Sequence, residues 1–288
     1  MKKFLLVALL GALGLSQLSK AEEASSNNTI DYTLDNAYKL DGNDVYSQHD
    51  INYTHKFSDA LKVAFQGNFF EHYRKKDDSG NVTKGTYEDN FWRVKFIGSP
   101  FVNIAGFKTS WEVRYILPVD EKSQKAGVYG SLNPRLIMAR EFNSHYNLTM
   151  VARLGLPLNR KSYQVNSPST NSPNKILQAG FTIVPEWKIL PNLVLTNESN
   201  LDLTLLGKAP YNKKDAASDP INKTSYTYNF SNELALVYTF KNFYDLGVGG
   251  FWQVDYNFGN GLLRNAGERF SKGKQHAVGL RLAKTFNL

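Results

Sequence analysis

Cysteine is missing altogether, which excludes disulfide staples and lipid attachment through a cysteine. Long apolar runs are almost missing too. Beyond residue 21 nothing approaches the ~18 consecutive apolar residues of a membrane helix, and mean hydropathy is −0.40. A membrane protein built of helices is therefore excluded. Histidine is scarce: His49, His55, His72, His145 and His276 are the five in the chain. No cluster of them with carboxylates shares a strand face at metal-ligand spacing. There is no P-loop and no dinucleotide-binding glycine pattern, so no metal and no other cofactor is expected. Charge of one sign is also in short supply. The 34 basic residues exceed the 26 acidic ones by 8, and residues 1–21 hold three lysines and no acid, leaving +5 for the remainder. That mild excess, spread along the chain, is no nucleic-acid footprint.

What is present begins with an export signal. Lys2 and Lys3 precede an apolar run from Phe4 to Leu15, and Ser19-Lys20-Ala21 offers small residues where a signal peptidase reads. Residues 1–21 are expected to be a secretory signal peptide cleaved after Ala21, with 22–288 as one domain. The apolar run is too short for a spanning helix.

The rest of the chain alternates. In the hairpin from Ile176 to Gly207, Leu177, Ala179, Phe181, Ile183 and Trp187 share one parity, and Gln178, Thr182, Glu186 and Lys188 the other. After Leu190-Pro191-Asn192 the pattern restarts with Leu193, Leu195, Leu201, Leu203 and Leu205 against Thr196, Glu198, Asn200, Asp202 and Thr204. Alternate residues of a strand point to opposite faces, so this hairpin has an oily side and a wet side. Its arms exceed the usual ~5–6 residues of a soluble strand and reach the ~9–11 that cross a bilayer at a tilt. Asn197 and Ser199 interrupt the oily face, as Asn232 does on the next strand; a bulge, a protein contact or a subunit interface would each account for that break.

Further strands are expected at 29–40, 45–57, 60–73, 87–97, 106–117, 131–142, 146–158, 225–240, 243–256 and 275–286, making twelve in all. Polar loops are expected at 74–86 and 159–175, the latter mobile for its Asn, Ser and Pro content. From the second strand on, connections alternate short and long, the brief Asp41–Asp44 link excepted. That is the pattern of an outer-membrane barrel with short periplasmic turns and longer external loops. A soluble β-sandwich also alternates oily and polar faces. Strand length, loop alternation and the four tryptophans (Trp92, Trp111, Trp187, Trp252), all on the oily parity where interfacial aromatics collect, favour the barrel. Over nearly all of 22–288 the chain resembles the bacterial outer-membrane β-barrel superfamily, as an all-β, antiparallel up-and-down barrel. The resemblance implies residence in the outer membrane of a Gram-negative bacterium, among its lipids. It also implies recognition by the barrel-assembly machinery through the last strand, where Leu280, Leu282 and Phe286 are similar to the superfamily's closing signal. Asn287 and Leu288 follow the Phe, where the common pattern ends on it.

With the oily parity outward, the other lines the lumen. Lys62, Arg93, Lys95, Lys108, Arg114, Arg135 and Arg153 come from strands two to seven, together with Lys56 and the acids Asp50 and Glu112. Glu186, Glu198, Asp202, Glu233 and Asp255 come from strands eight to eleven, with Lys188 as the one clear inward base. A basic wall facing an acidic wall would set a transverse field across an aqueous pore, similar to channel-forming barrels. The expected function is a porin-like channel for small polar or charged solutes. One alternative is a closed barrel whose charges pair across the bore, serving a structural or adhesive role; twelve strands lie between a filled ~8-stranded barrel and an open ~16-stranded one. The other is a barrel-embedded hydrolase. For that, Ser144-His145 reads as turn chemistry and His72 near Glu88 and Asp89 as a solvated rim, so no catalytic residue is expected.

Overall fold

Two-residue alternation dictates extended structure, and the alternating stretches all become strands. The structure, a computed structural model, describes residues 27–40, 44–76, 81–119, 127–160, 163–167, 170–206, 225–243, 245–258 and 274–287; the expected signal peptide lies outside them. The strands are β1 (Asn28–Lys39), β2 (Asp44–Lys56), β3 (Leu61–Lys76), β4 (Thr86–Gly98), β5 (Phe107–Leu117) and β6 (Val128–Asn143). They continue as β7 (Tyr146–Asn159), β8 (Lys175–Leu190), β9 (Leu193–Leu206), β10 (Ser225–Phe240), β11 (Leu246–Phe258) and β12 (Lys274–Asn287). Each pairs antiparallel with its chain neighbours. β1 also pairs with β12, from Thr29 opposite Asn287 to Lys39 opposite Ala277. The sheet thus closes on itself as a twelve-stranded barrel, and closure satisfies backbone groups that lipid cannot.

Strand lengths run from 11 residues in β5 to 16 in β3, enough to cross a bilayer at a tilt. Links at one rim are short (57–60, 144–145, 191–192), whereas at the other rim the ends of successive strands from β5 on are 10 or more residues apart in sequence. Three details depart from the sequence reading. β3 runs on through Lys76, and Val82–Thr83 pairs back onto it inside the stretch expected to be loop. The expected mobile loop carries a short hairpin, Tyr163–Ser167 with Thr170–Pro173. Val102–Ile104 pairs with the start of β5. Among the described residues no helix is long and apolar enough to cross a membrane.

Exposure is inverted relative to a soluble domain. Leu201 (50%), Leu236 (42%) and Leu280 (66%) on the oily parity are exposed, whereas Gln66, Lys95 and Glu112 on the polar parity are buried. An apolar exterior around a polar interior is the requirement of a lipid-facing barrel. Outward tryptophans cover the sheet's glycines: a Cβ at Gly67 would meet the Trp92 ring, and one at Gly98 the Trp111 ring.

The polar break on the outer face is not a bulge. β9 and β10 pair without a register shift from Leu193 opposite Tyr238 to Leu206 opposite Ser225. Asn197, Ser199 and Asn232 instead form a cluster. The Asn232 amide donates to Asn197 Oδ1 at 2.5 Å and to Ser199 Oγ at 2.8 Å. Side-chain hydrogen bonds absorb the polarity, and the parity of the 176–207 hairpin holds from Leu177 to Lys188, with register shifts at its two ends.

Candidate functional site in the lumen

Register places the inward charges. Lys95 on β4 stands directly opposite Arg114 on β5. Glu112 on β5 stands opposite Arg135 on β6, and Arg135 opposite Arg153 on β7. Like charges in directly opposed positions repel, and two acids relieve this basic belt. Glu112, buried, contacts Arg114 Nε and lies 3.6 Å from Arg135 Nε. Asp202 on β9 takes Arg153 in a paired fork, Nε to Oδ1 at 3.1 Å and Nη2 to Oδ2 at 2.8 Å. Arg153 also donates to Thr182 and, at 3.2 Å, to Asn200.

That fork reaches across β8, and a glycine makes room for it. Gly180 stands between Arg153 and Asp202 in the register, and a Cβ there would collide with both Asp202 Oδ1 and Arg153 Nε. The ion pair therefore lies on the bare face of Gly180.

Around the seam, Arg281 on β12 donates from Nε and Nη2 to the two Asp35 oxygens, both at 2.8 Å, and from Nη1 to Glu233 Oε1 at 2.7 Å. The remaining acids find neutral partners: Glu186 accepts from Asn147 at 2.9 Å, Glu198 from Asn200 at 2.8 Å, and Asp255 from Gln253 at 3.1 Å. Arg93 Nε donates to Gln66 Oε1, and Lys95 Nζ to Asn52 Oδ1, each at 2.8 Å.

One geometric rule covers this interior. Every described ion pair along it joins strands that are neighbours or next neighbours, or residues of one strand: β5 to β6, β7 to β9, β10 to β12 and β12 to β1. Strands on opposite sides of a twelve-stranded barrel are six positions apart in the sheet order. Among the described residues no charge pairs across the bore.

Of the residues singled out from the sequence, the structure brings Arg93, Lys95, Arg114, Arg135, Arg153 and Asp202 into one belt at mid-height. Lys62 and Lys108 are exposed near the short-link rim, and Glu186 sits toward that same rim, so these three stand apart from the belt. Glu233 belongs to the Arg281 group. Sequence reasoning missed Arg281 and Asp35, although parity carried the signal: Arg281 lies between Leu280 and Leu282, and Asp35 follows Leu34.

At the long-loop rim, His72 gathers acids beyond the expected Glu88. Its Nδ1 bonds Asp44 Oδ1 at 2.8 Å, while Nε2 lies 3.4 Å from Glu88 Oε2, which Lys75 also contacts. His72 is thus buried rather than solvated as expected, its Nδ1 taken by Asp44, while Nε2 makes no hydrogen bond among the described residues. Ser47, on the neighbouring strand, points outward to Asn36 and Tyr73. In the Asn143-Ser144-His145 turn, the Asn143 side chain accepts the backbone N–H groups of His145 and Tyr146, both at 2.8 Å. A groove of about 800 Å³ lies largely on the outer face around Gly250, lined by Leu195, Leu234, Leu236, Trp252 and Leu280. It contains none of the charged belt.

No protein-family model and no curated protein matches the sequence. Among solved structures, the chain is similar to an outer membrane channel from Pseudomonas putida F1, at 11% identity and a TM-score of 0.54, covering 90% of this chain and 94% of that one. Weaker likenesses, which carry no inference, include the KdgM porin in complex with disordered oligogalacturonate (11% identity, TM-score 0.40, 88% and 97% covered). Another is LpxR from Salmonella typhimurium (8%, 0.38, 89% and 99%). With its closed sheet, its apolar exterior and this likeness, the chain has the fold of the bacterial outer-membrane β-barrels.

Proposed function

We propose that this barrel is a diffusion channel of the bacterial outer membrane that passes small polar or charged solutes. The observation that carries the reading is the lateral course of the ion pairs. Charges that pair along the wall leave the bore to water and solute, whereas pairs spanning it would plug it. The channel nature of the Pseudomonas putida protein supports the reading at the level of fold.

The two-wall field takes a reduced form. Arg153 with Asp202 cancels locally, whereas Arg281 against both Asp35 and Glu233 leaves the seam with one negative charge over. What remains is a basic side, Arg93 and Lys95 on β4 with Arg114 and Arg135 sharing one Glu112 and with Asp50 on β2, against an acidic side of the seam, Glu198 and Asp255. Opposed residual charges across a low-dielectric wall focus a field on the bore.

Reconstitution into a planar bilayer tests this function. Ohmic conductance is expected; a silent bilayer, with the barrel inserted and folded, overturns the channel. Replacing Arg93, Arg114 and Arg135 together by Gln is expected to move the reversal potential in a salt gradient toward cation selectivity. An unmoved potential would sink the charged-wall part of the reading alone.

A further inference from the structure

We propose that Arg93 and Lys95, with Arg114 beside them, form an oxyanion-binding site in the lumen, at which solutes bearing a carboxylate or phosphate are held in transit. The site deepens the channel reading, and its transit role rests on that reading. Its construction does not.

Arg93 and Lys95 are two residues apart on β4 and share its inward face, so their Cα atoms lie about 7 Å apart. Arg114 stands directly opposite Lys95, at a Cα separation of about 5 Å. Three cations are thus fixed by backbone register around one patch of wall. Nearby carboxylates are already engaged. Glu112 is shared between Arg114 and Arg135. Asp50 is held by Gln66 Nε2, at 2.7 and 2.6 Å to its two oxygens, and by Asn68 at 3.3 Å. Among the described residues neither Arg93 nor Lys95 has a carboxylate within 4.0 Å; they donate instead to the neutral amides of Gln66 and Asn52.

Lys95 is only 8% exposed. A buried cation beside like charges is costly unless an opposite charge answers it. The heads of Arg93 and Lys95 meet over the directly opposed Gln66 and Asn52, so one oxyanion can answer both, with Arg114 adding its field from the next strand. Arg93 spends Nε on Gln66 and rests its guanidinium 4.2 Å from the centre of the Phe91 ring. Its two Nη groups are left as the planar fork that takes two oxygens of a carboxylate or phosphate. On the β3 side of Lys95 the opposing residue is Ala64, a small buried side chain that lets the lysine reach across β3 to Asn52 on β2. A neutral sugar or a cation finds no matching chemistry here; a small organic acid or phosphate ester does.

The probe is inorganic phosphate, the variants R93Q/K95Q and the charge-keeping K95R. In planar bilayers, phosphate is expected to lower chloride conductance saturably. The half-blocking concentration should rise about tenfold or more in R93Q/K95Q, the size of a lost charge-assisted hydrogen bond, and stay near wild type in K95R. A non-saturating response, or equal block in wild type and R93Q/K95Q, overturns the proposal. Should no variant conduct, the channel reading fails and calorimetric titration of phosphate into the detergent-solubilised barrel decides the site. Binding to wild type that is lost in R93Q/K95Q upholds it, and absent or undiminished binding overturns it.

Discussion

Arg281→Gln probes the seam where the first and last strands meet. The guanidinium makes three charge-assisted hydrogen bonds, two to Asp35 on β1 and one to Glu233 on β10, so one side chain ties three strands across the closure. Removing it leaves two carboxylates near each other without a counter-charge. Breaking a buried ion pair from one side costs about 3–5 kcal/mol, mostly as the penalty on the charge left behind. The side chains of Arg281, Asp35 and Glu233 are 20%, 11% and 25% exposed. Water therefore offsets part of that cost, and about 2–4 kcal/mol is the expected loss. Reversible urea unfolding of the detergent-folded barrel measures it as a lower midpoint at an unchanged slope. The triple variant R281Q/D35N/E233Q removes the stranded charges together with their partner and should recover most of the stability. A loss below about 0.5 kcal/mol, the range of an ordinary surface substitution, refutes the clamp, as does a triple variant no better than R281Q alone.

Gly180→Val places atoms where the Arg153–Asp202 pair lies and should cost about 2 kcal/mol or more. Asp202→Asn should then add little on that background, whereas fully additive losses in urea unfolding would show that the two sites are independent. Asn232→Leu replaces an amide on the lipid-facing side by a residue suited to hydrocarbon. Stability should change by no more than about 1 kcal/mol, and a loss above about 3 kcal/mol would mean that Asn232 faces protein. Mass spectrometry of the chain recovered from outer membranes should find an N-terminus at Glu22; a retained Met1 would remove the signal peptide. The purified barrel is expected to hydrolyse neither phospholipid nor peptide, and hydrolysis abolished by His72→Ala would establish the enzyme instead.

The architecture was legible because a barrel repeats one rule. Period-two alternation, read strand by strand, located all twelve strands, including β10, where seven aromatic and leucine side chains share a face. The site was legible only as a set of inward residues. Parity says which side of the wall a residue occupies, but it does not say who faces whom. That depends on register between strands, and register placed Lys95 against Arg114, and Arg153 within reach of Asp202 over Gly180. Nothing in a single strand's pattern marks Gly180 as the floor of an ion pair, since an inward glycine also suits a bend. Arg281 and Asp35 were overlooked for a different reason. They lie on the first and last strands, 246 residues apart in the chain, and only closure of the sheet sets Asp35 opposite Arg281.

Taken together, the interior charges solve a packing problem that follows from the barrel's girth. Twelve strands lie between a barrel that side chains fill and one that keeps a wide bore, so where the interior charges point decides which it resembles. Long arginines are the side chains best able to bridge such a bore. Here each acid-paired one is bent back along the wall: Arg114 and Arg135 by Glu112, Arg153 by Asp202 over a glycine, and Arg281 by Asp35 and Glu233. Bidentate and shared carboxylates hold a guanidinium in plane far better than they hold an ammonium, which explains why all four paired cations of the belt and seam are Arg. The exceptions are then the informative residues. Among the described residues Arg93 and Lys95 are held by neutral amides and have no carboxylate within 4.0 Å. A wall that gives Arg153 its own acid, gives Arg114 and Arg135 one shared carboxylate and leaves Arg93 and Lys95 to amides draws anions to this side of the bore.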